Sequence, residues 1–247
     1  MRHQTAIIGG SGIDKVSSWS FSEARQCDTV YGAPSAEIEI YTCGNSAFYF
    51  LPRHGRPHRI APHCINYRAN LCALSELGVR QIIAINTVGG ITVPAGAIVI
   101  ADQIIDYTYG REHTLFTGAR EPVQHIDFTE PYTPSLRARL ISAAENAGIA
   151  TVNSGVYAAT QGPRLETAAE IKRLECDGCD IVGMTGMPEA ALARELGIDY
   201  AALCIVVNAA AGKSEEVLTV AAMSAVMNAA LIRIEKIMQA FFAAQNA

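Results

Sequence analysis

Short apolar runs that end in small or hydroxylated residues, with helical stretches between them, govern what this chain can fold into. The plainest is Tyr200-Ala-Ala-Leu-Cys-Ile-Val-Val207, a strongly apolar strand that ends at Asn208. Thr5-Ala-Ile-Ile-Gly9 is a short buried strand that runs into a Gly-rich turn, and residues 81–88 form a strand that ends at Gly89-Gly90. Residues 98–107, 152–160 and 181–184 read as further strands, and 37–43 with 47–52 as a hairpin turning at Gly44-Asn45. Helical periodicity covers 63–77, closed by Gly78, and 134–147, closed by Gly148. A third helix runs from 167 to 176, Pro188 opens a fourth as a first-turn proline, and a long one spans 219–244. Strands alternating with helices define the α/β class, and no linker, repeat or low-complexity segment divides residues 1–247, so one domain is expected.

Composition narrows the function. Half of the 247 residues are apolar, enough for a sizeable core, and the formal charge of −5 with no basic run argues against nucleic-acid binding. No apolar run reaches the length of a membrane span, and the start of the chain lacks the apolar stretch of a signal peptide, so a cytoplasmic setting away from membranes is expected. Seven cysteines at irregular spacings do not make a disulfide framework, and reduced thiols are expected. The one C-x-x-C, Cys176 and Cys179, has no second pair and no nearby His pair to complete a zinc site. Segment 109–133, polar and aromatic, reads as a long functional loop or an oligomer contact.

The strand ends carry the chemistry. Gly9-Gly10-Ser11-Gly12 offers backbone N–H groups and a hydroxyl, although it fits neither common nucleotide-loop pattern. Arg53-His54-Gly55-Arg56-Pro57-His58-Arg59 gathers three Arg and two His in seven residues, which suits a small dianion such as phosphate. A metal held by His54, His58 and His63 is disfavoured, because Arg surrounds them and no carboxylate is near in sequence. Asn86-Thr87-Val88-Gly89-Gly90 and Met184-Thr185-Gly186 each place a Thr beside Gly where ligands of open α/β sheets collect. Val207-Asn208-Ala209-Ala210 ends a strand in a side-chain amide that either caps a turn or points into a pocket. In Thr160-Gln-Gly-Pro-Arg-Leu-Glu166 a carboxylate leaves a Gly-Pro turn beside apolar Leu165. Such a carboxylate needs a donor, and a ligand N–H can supply one if no side chain does.

Taken together, these motifs resemble the trimeric purine nucleoside phosphorylase and methylthioadenosine phosphorylase family over nearly the whole chain. Asn66-Tyr67-Arg68-Ala69-Asn70 and Gly183-Met184-Thr185-Gly186-Met187-Pro188-Glu189 complete the likeness, which is greatest to a bacterial branch acting on S-methyl-5'-thioinosine. The resemblance implies a phosphorylase/hydrolase-like fold, with a central mixed, partly barrel-like β-sheet flanked by helices. It implies cleavage of a purine nucleoside by inorganic phosphate, a co-substrate, with no cofactor and no metal. Ser11, Arg53, His54, His58, Thr87 and Thr185 would hold phosphate with the backbone at Val88, Met184 would lie under the ribose, and Asn208 and His58 would be the catalytic pair. Glu166 and Asn208 would grip the base, with Leu165, Ala209 and Ala210 beside them. His125 would reach a neighbouring subunit's site in a homotrimer or a dimer of trimers.

Departures from the methylthioadenosine branch point to the base. That branch carries aspartates where this chain has Asn208 and Ala210, and a small hydroxyl residue where it has Glu166. A 6-oxopurine offers an N1–H donor to Glu166 and an O6 acceptor to the Asn208 amide. Adenine would present a lone pair at N1 to the carboxylate, a mismatch of a few kcal/mol. Val220, allowing one gap, falls near the 5'-substituent and favours a methylthio group over a hydroxyl. Phosphorolysis of S-methyl-5'-thioinosine to hypoxanthine and 5-methylthioribose 1-phosphate is the expected reaction. Inosine or guanosine phosphorolysis and methylthioadenosine phosphorolysis are the alternatives within the family. A hydrolase using water and a non-catalytic nucleoside binder are the alternatives outside it.

Overall fold

A computed structural model describes residues 4–10, 13, 16–116, 118, 124–215 and 220–245, with side chains from 223 onward in the last stretch. In chain order the elements are β1 (Thr5–Gly9), β2 (Ser20–Arg25), β3 (Ile38–Cys43), β4 (Ser46–Pro52), α1 (Tyr67–Glu76) and β5 (Gln81–Gly90). Then follow β6 (Ile98–Ile100), β7 (Gln103–Asp106), α2 (Pro134–Asn146), β8 (Val156–Ala159), α3 (Ala168–Cys176), β9 (Ile181–Gly183), α4 (Gly186–Glu195), β10 (Asp199–Ala209) and α5 (Val220–Ala244). All the described strands join one mixed sheet, ordered β2-β3-β4-β1-β5-β9-β8-β7, with β10 on β5 and β6 on β10. The mixed α/β class with a large central sheet flanked by helices is as expected.

Side-chain alternation along the central strands builds two cores. On β10, Tyr200, Ala202, Cys204 and Val206 join the cluster that contains Leu71 and Leu74 of α1 and Leu192 and Ala193 of α4. The intervening Ala201, Leu203, Ile205 and Val207 join Leu136 and Leu140 of α2 and Ile234, Met238 and Phe241 of α5. Both faces are therefore covered, which is why this strand is apolar without interruption. A third, smaller cluster seats Ile171 and Leu174 of α3 against Ala158 and Val182. The α3 N-terminus is closed by a capping box, in which the Thr167 side chain accepts from the Glu170 N–H and the Glu170 side chain accepts in return.

Three expectations about elements need correction. The strand expected over 98–107 is two strands: β6 runs antiparallel to β10, while β7 runs parallel to β8. Between them Arg137 donates to the Ala101 and Ile100 carbonyls and to that of Asn153, holding the chain where it changes partner. The helix expected from 63 begins at Tyr67, after a 3-10 turn at Pro62–Cys64, because Asn66 caps it by accepting the Ala69 N–H. The strand β2 was not expected; all of its residues are exposed, so it lacks the apolar alternation that marks a strand.

Candidate active site

A fork in the sheet creates the site. The strand β10 pairs with β5 along its whole length, from Gln81 to Gly90, so β1 and β9 share the other edge. On that edge β1 pairs only as far as Ile85, and β9 joins only at Gly89 and Gly90. Between them, no described strand covers the edge of β5 at residues 86–88. A cavity of about 260 Å³ opens there, lined by Gly10 at the end of β1, by Thr87, Val88 and Gly89 of β5, and by Gly183, Met184 and Thr185 after β9.

The far wall comes from a β-bulge. Pairing of β10 with β5 shifts register between Val206, opposite Val88, and Asn208, opposite Gly89. In a regular strand neighbours face opposite sides; here the consecutive residues Val207 and Asn208 both line the cavity, as a bulge permits. The Asn208 Nδ2 donates to the Ala209 carbonyl at 2.7 Å, and the amide has a second hydrogen to offer. Ala210 and Ala211 continue the wall, whereas Ala209 does not line it.

Glu166 lines the same cavity beside Leu165, which is half exposed. Its carboxylate is not left to find its donor in a ligand alone: the Thr160 hydroxyl donates to Glu166 Oε1 at 2.7 Å. Of the two donors the sequence left open, a side chain supplies the first, and Oε2 is the oxygen left to offer an N–H group. The turn carrying Glu166 rests on Met184. Gly162 has φ +62°, a conformation that favours glycine, and it packs directly on the Met184 side chain.

Two arginines of the basic cluster have carboxylate partners inside the protein. Arg53 is 1% exposed, and its Nε and Nη2 donate to the two oxygens of fully buried Glu189 at 2.7 and 2.8 Å. Burial acts to lower the Arg53 pKa, but the Glu189 charge and hydrogen bonds outweigh it and hold it raised. The Tyr200 hydroxyl donates to Glu189 as well, at 2.8 Å. Arg56 pairs with Glu39, and neither Arg56 nor Arg59 lines the cavity. Arg53, His54 and His58 do line it. Burial pushes the His54 pKa down to about 4, with the charges of Arg53 and His58 adding to the effect and the Ile60 carbonyl opposing it. His54 is thus neutral at pH 7; with Nδ1 donating to the Ile60 carbonyl at 2.8 Å, Nε2 is an acceptor, suited to a P–OH hydrogen. The exposed His58 ring stacks on it at 4.2 Å, its pKa also lowered by burial.

Thr185 stands at the N-terminus of α4, buried, with its hydroxyl donating to Asn86 Oδ1 at 3.2 Å. Beneath it, Tyr157 fixes the loop: a Cβ on Gly183 would lie 2.2 Å from the Tyr157 hydroxyl. Among the expected site residues, Arg53, His54, His58, Thr87, Val88 and Thr185 share the cavity with Leu165, Glu166, Met184, Asn208 and Ala210. His125 is exposed and does not line it within this chain. Ser11 lies outside the described residues, and so does the Val220 side chain. Sequence reasoning missed the supporting residues Thr160, Tyr157, Glu189 and Arg111, and the apolar wall of Ile13, Val207 and Met223. Glu189 was visible only as part of the motif, since nothing local pairs it with Arg53. No group of three His, Cys, Asp or Glu that could hold a metal occurs among the described residues.

Comparison with known proteins agrees with this architecture. A probable S-methyl-5'-thioinosine phosphorylase of Pseudomonas syringae is 53% identical over 218 residues, 87% of this chain and 89% of the relative. The 6-oxopurine nucleoside phosphorylase of Pyrococcus furiosus is 46% identical, covering 87% of this chain and 82% of its own. The methylthioadenosine phosphorylase of Schistosoma mansoni, solved with adenine, superposes with a TM-score of 0.93 at 32% identity over 99% of this chain and 92% of that one. The model of the phosphorylase superfamily matches residues 4–243, and the chain belongs to that superfamily.

Proposed function

We propose that this protein cleaves 6-oxopurine nucleosides with inorganic phosphate, and that S-methyl-5'-thioinosine is its favoured substrate. The observation that carries the reading is the pairing of Glu166 and Asn208 in one cavity with His54, Thr87 and Thr185 at the sheet fork. Glu166 accepts the base N1–H through Oε2, and the one Asn208 N–H not given to the Ala209 carbonyl points at the O6/N7 edge of the base, shared between the two acceptors. Phosphate, held by the strand-end hydroxyls, the histidines and the β5 backbone, attacks C1' from the face opposite the base. The C1'–N9 bond breaks, its electron pair leaves with the purine, and the Asn208 N–H at N7 meets the growing negative charge. Phosphate oxygens meanwhile face the positive charge on the sugar, so positioning and electrostatics carry the rate. Because Glu189 neutralises Arg53, hydrogen-bond donors rather than net charge hold the anion.

The names of the relatives support this base: those named for thioinosine or 6-oxopurine nucleosides are 42–53% identical, against 32% for the methylthioadenosine enzyme. Ile13, Val207 and Met223 give the cavity an apolar wall, which suits a methylthio group better than a hydroxyl. We further propose a cytoplasmic homotrimer or dimer of trimers, with residues 1–247 as one domain, needing no cofactor and binding no nucleic acid or membrane. No helix among the described residues is long and apolar enough to cross a membrane. The test is a panel of methylthioinosine, inosine, guanosine and methylthioadenosine, with and without phosphate. Hypoxanthine release from methylthioinosine that requires phosphate is expected. Faster adenine release from methylthioadenosine would overturn the base assignment, and equal rates without phosphate would overturn phosphorolysis.

A further inference from the structure

Arg111 lies at the start of the long polar segment and does not line the cavity, yet its guanidinium reaches the supports of both halves of the site. Toward the base-choosing turn, Nη2 donates to the Thr160 and Gln161 carbonyls at 3.2 and 2.8 Å, and Nε to Gln161 Oε1 at 3.1 Å. Toward the sugar side, Nη1 donates to the Met184 carbonyl at 2.9 Å and the Met187 carbonyl at 2.5 Å. The same Nη1 approaches the Tyr67 hydroxyl at 3.3 Å, and that hydroxyl donates to the carbonyl of Pro62, a cavity residue. Every one of these acceptors is a neutral oxygen. What the site uses is the flat fork of five N–H donors, which a lysine ammonium cannot reproduce.

The two segments that Arg111 joins also bear directly on each other. The Thr160 N–H donates to the Gly183 carbonyl at 2.8 Å, and Gly162 packs on Met184. From the same Thr160, a hydroxyl holds Glu166. A shift of the 160–162 backbone would therefore move Glu166 and Met184 relative to each other, parting the group that reads the base from the group beneath the sugar. We propose that Arg111 is a positioning residue that locks the base-reading turn to the sugar-binding loop, so that both address one bound nucleoside. This rests on the nucleoside reading above.

The test compares wild type with Arg111→Met and Arg111→Lys, measuring kcat and KM for methylthioinosine, methylthioadenosine and phosphate alongside thermal stability. Misplacing a substrate by about 1 Å can cost on the order of 10²-fold, and a loss of that size in kcat/KM for methylthioinosine is expected in Arg111→Met. The preference for the 6-oxopurine should narrow by about tenfold, because Glu166 loses its register, while KM for phosphate stays within about twofold. Arg111→Lys keeps the charge and the stem, so it reports on the fork even if Arg111→Met folds poorly; it should show the same narrowing. Added guanidinium ion should restore part of the rate in Arg111→Ala. Equal losses for both nucleosides and for phosphate, tracking stability and with no rescue, would overturn the proposal. A wild type that lacks phosphate-dependent cleavage would instead overturn the functional reading.

Discussion

Glu166 and Asn208 each enter the site with one hydrogen bond already made, to Thr160 and to the Ala209 carbonyl. That bond fixes the side chain and leaves an acceptor on Glu166 and a donor on Asn208 for the proposed contacts with the base. If these two atoms choose the base, Glu166→Ser with Asn208→Asp should move the preference from 6-oxopurines toward 6-aminopurines. The ratio of kcat/KM values should change on the order of 10²-fold, read by competing methylthioinosine with methylthioadenosine; an unchanged ratio would place the choice elsewhere. Each residue was legible in the sequence, because an acid after a Gly-Pro turn and an amide at the end of an apolar strand are both out of character for their surroundings, while their pairing came from the family resemblance. The Thr160 bond was not, since a threonine at a strand end reads equally well as a β-former. Nor was the fate of Arg53, because its partner Glu189 is 136 positions away.

Among the elements, the link between β4, α4 and β10 is electrostatic. Arg53 follows β4, Glu189 belongs to α4, Tyr200 belongs to β10, and all three meet in the buried interior. Removing one partner of a buried ion pair strands the other, typically at about 3–5 kcal/mol. Glu189→Ala should therefore lower the denaturation free energy by that amount in a urea titration, and a change below about 1 kcal/mol would show that the pair adds little. Element boundaries were legible where caps or punctuating glycines mark them, as at Gly78, Gly148 and Gly89-Gly90. They were obscured where pairing decides: β6 and β7 are separated only by Ala101 and Asp102 and differ in partner, and β2 is carried by β3 without a buried face.

For the whole molecule, the apolar strands clad on both faces by helices leave the site as the place where buried groups can titrate. His54 falls to about 4 in the folded protein from an ordinary value of 6.5. Between these values the unfolded chain binds a proton that the folded one refuses, so stability is fully present above pH 6.5 and is lost as pH falls toward 4. The lowered His58 pKa acts in the same direction. Urea midpoints should fall across that window, and His54→Gln should flatten the slope; an identical slope in the variant would mean that other groups, such as the carboxylates, set it.

The exposed edge of β5 has a different kind of consequence. Its N–H and C=O groups belong to the main chain, so no substitution at Asn86, Thr87 or Val88 other than proline deletes them, whereas the proposed choice of base rests on two side chains that point substitutions can replace. A lineage built on this fork can drift in which nucleoside it consumes far more readily than it can abandon phosphate as the attacking partner.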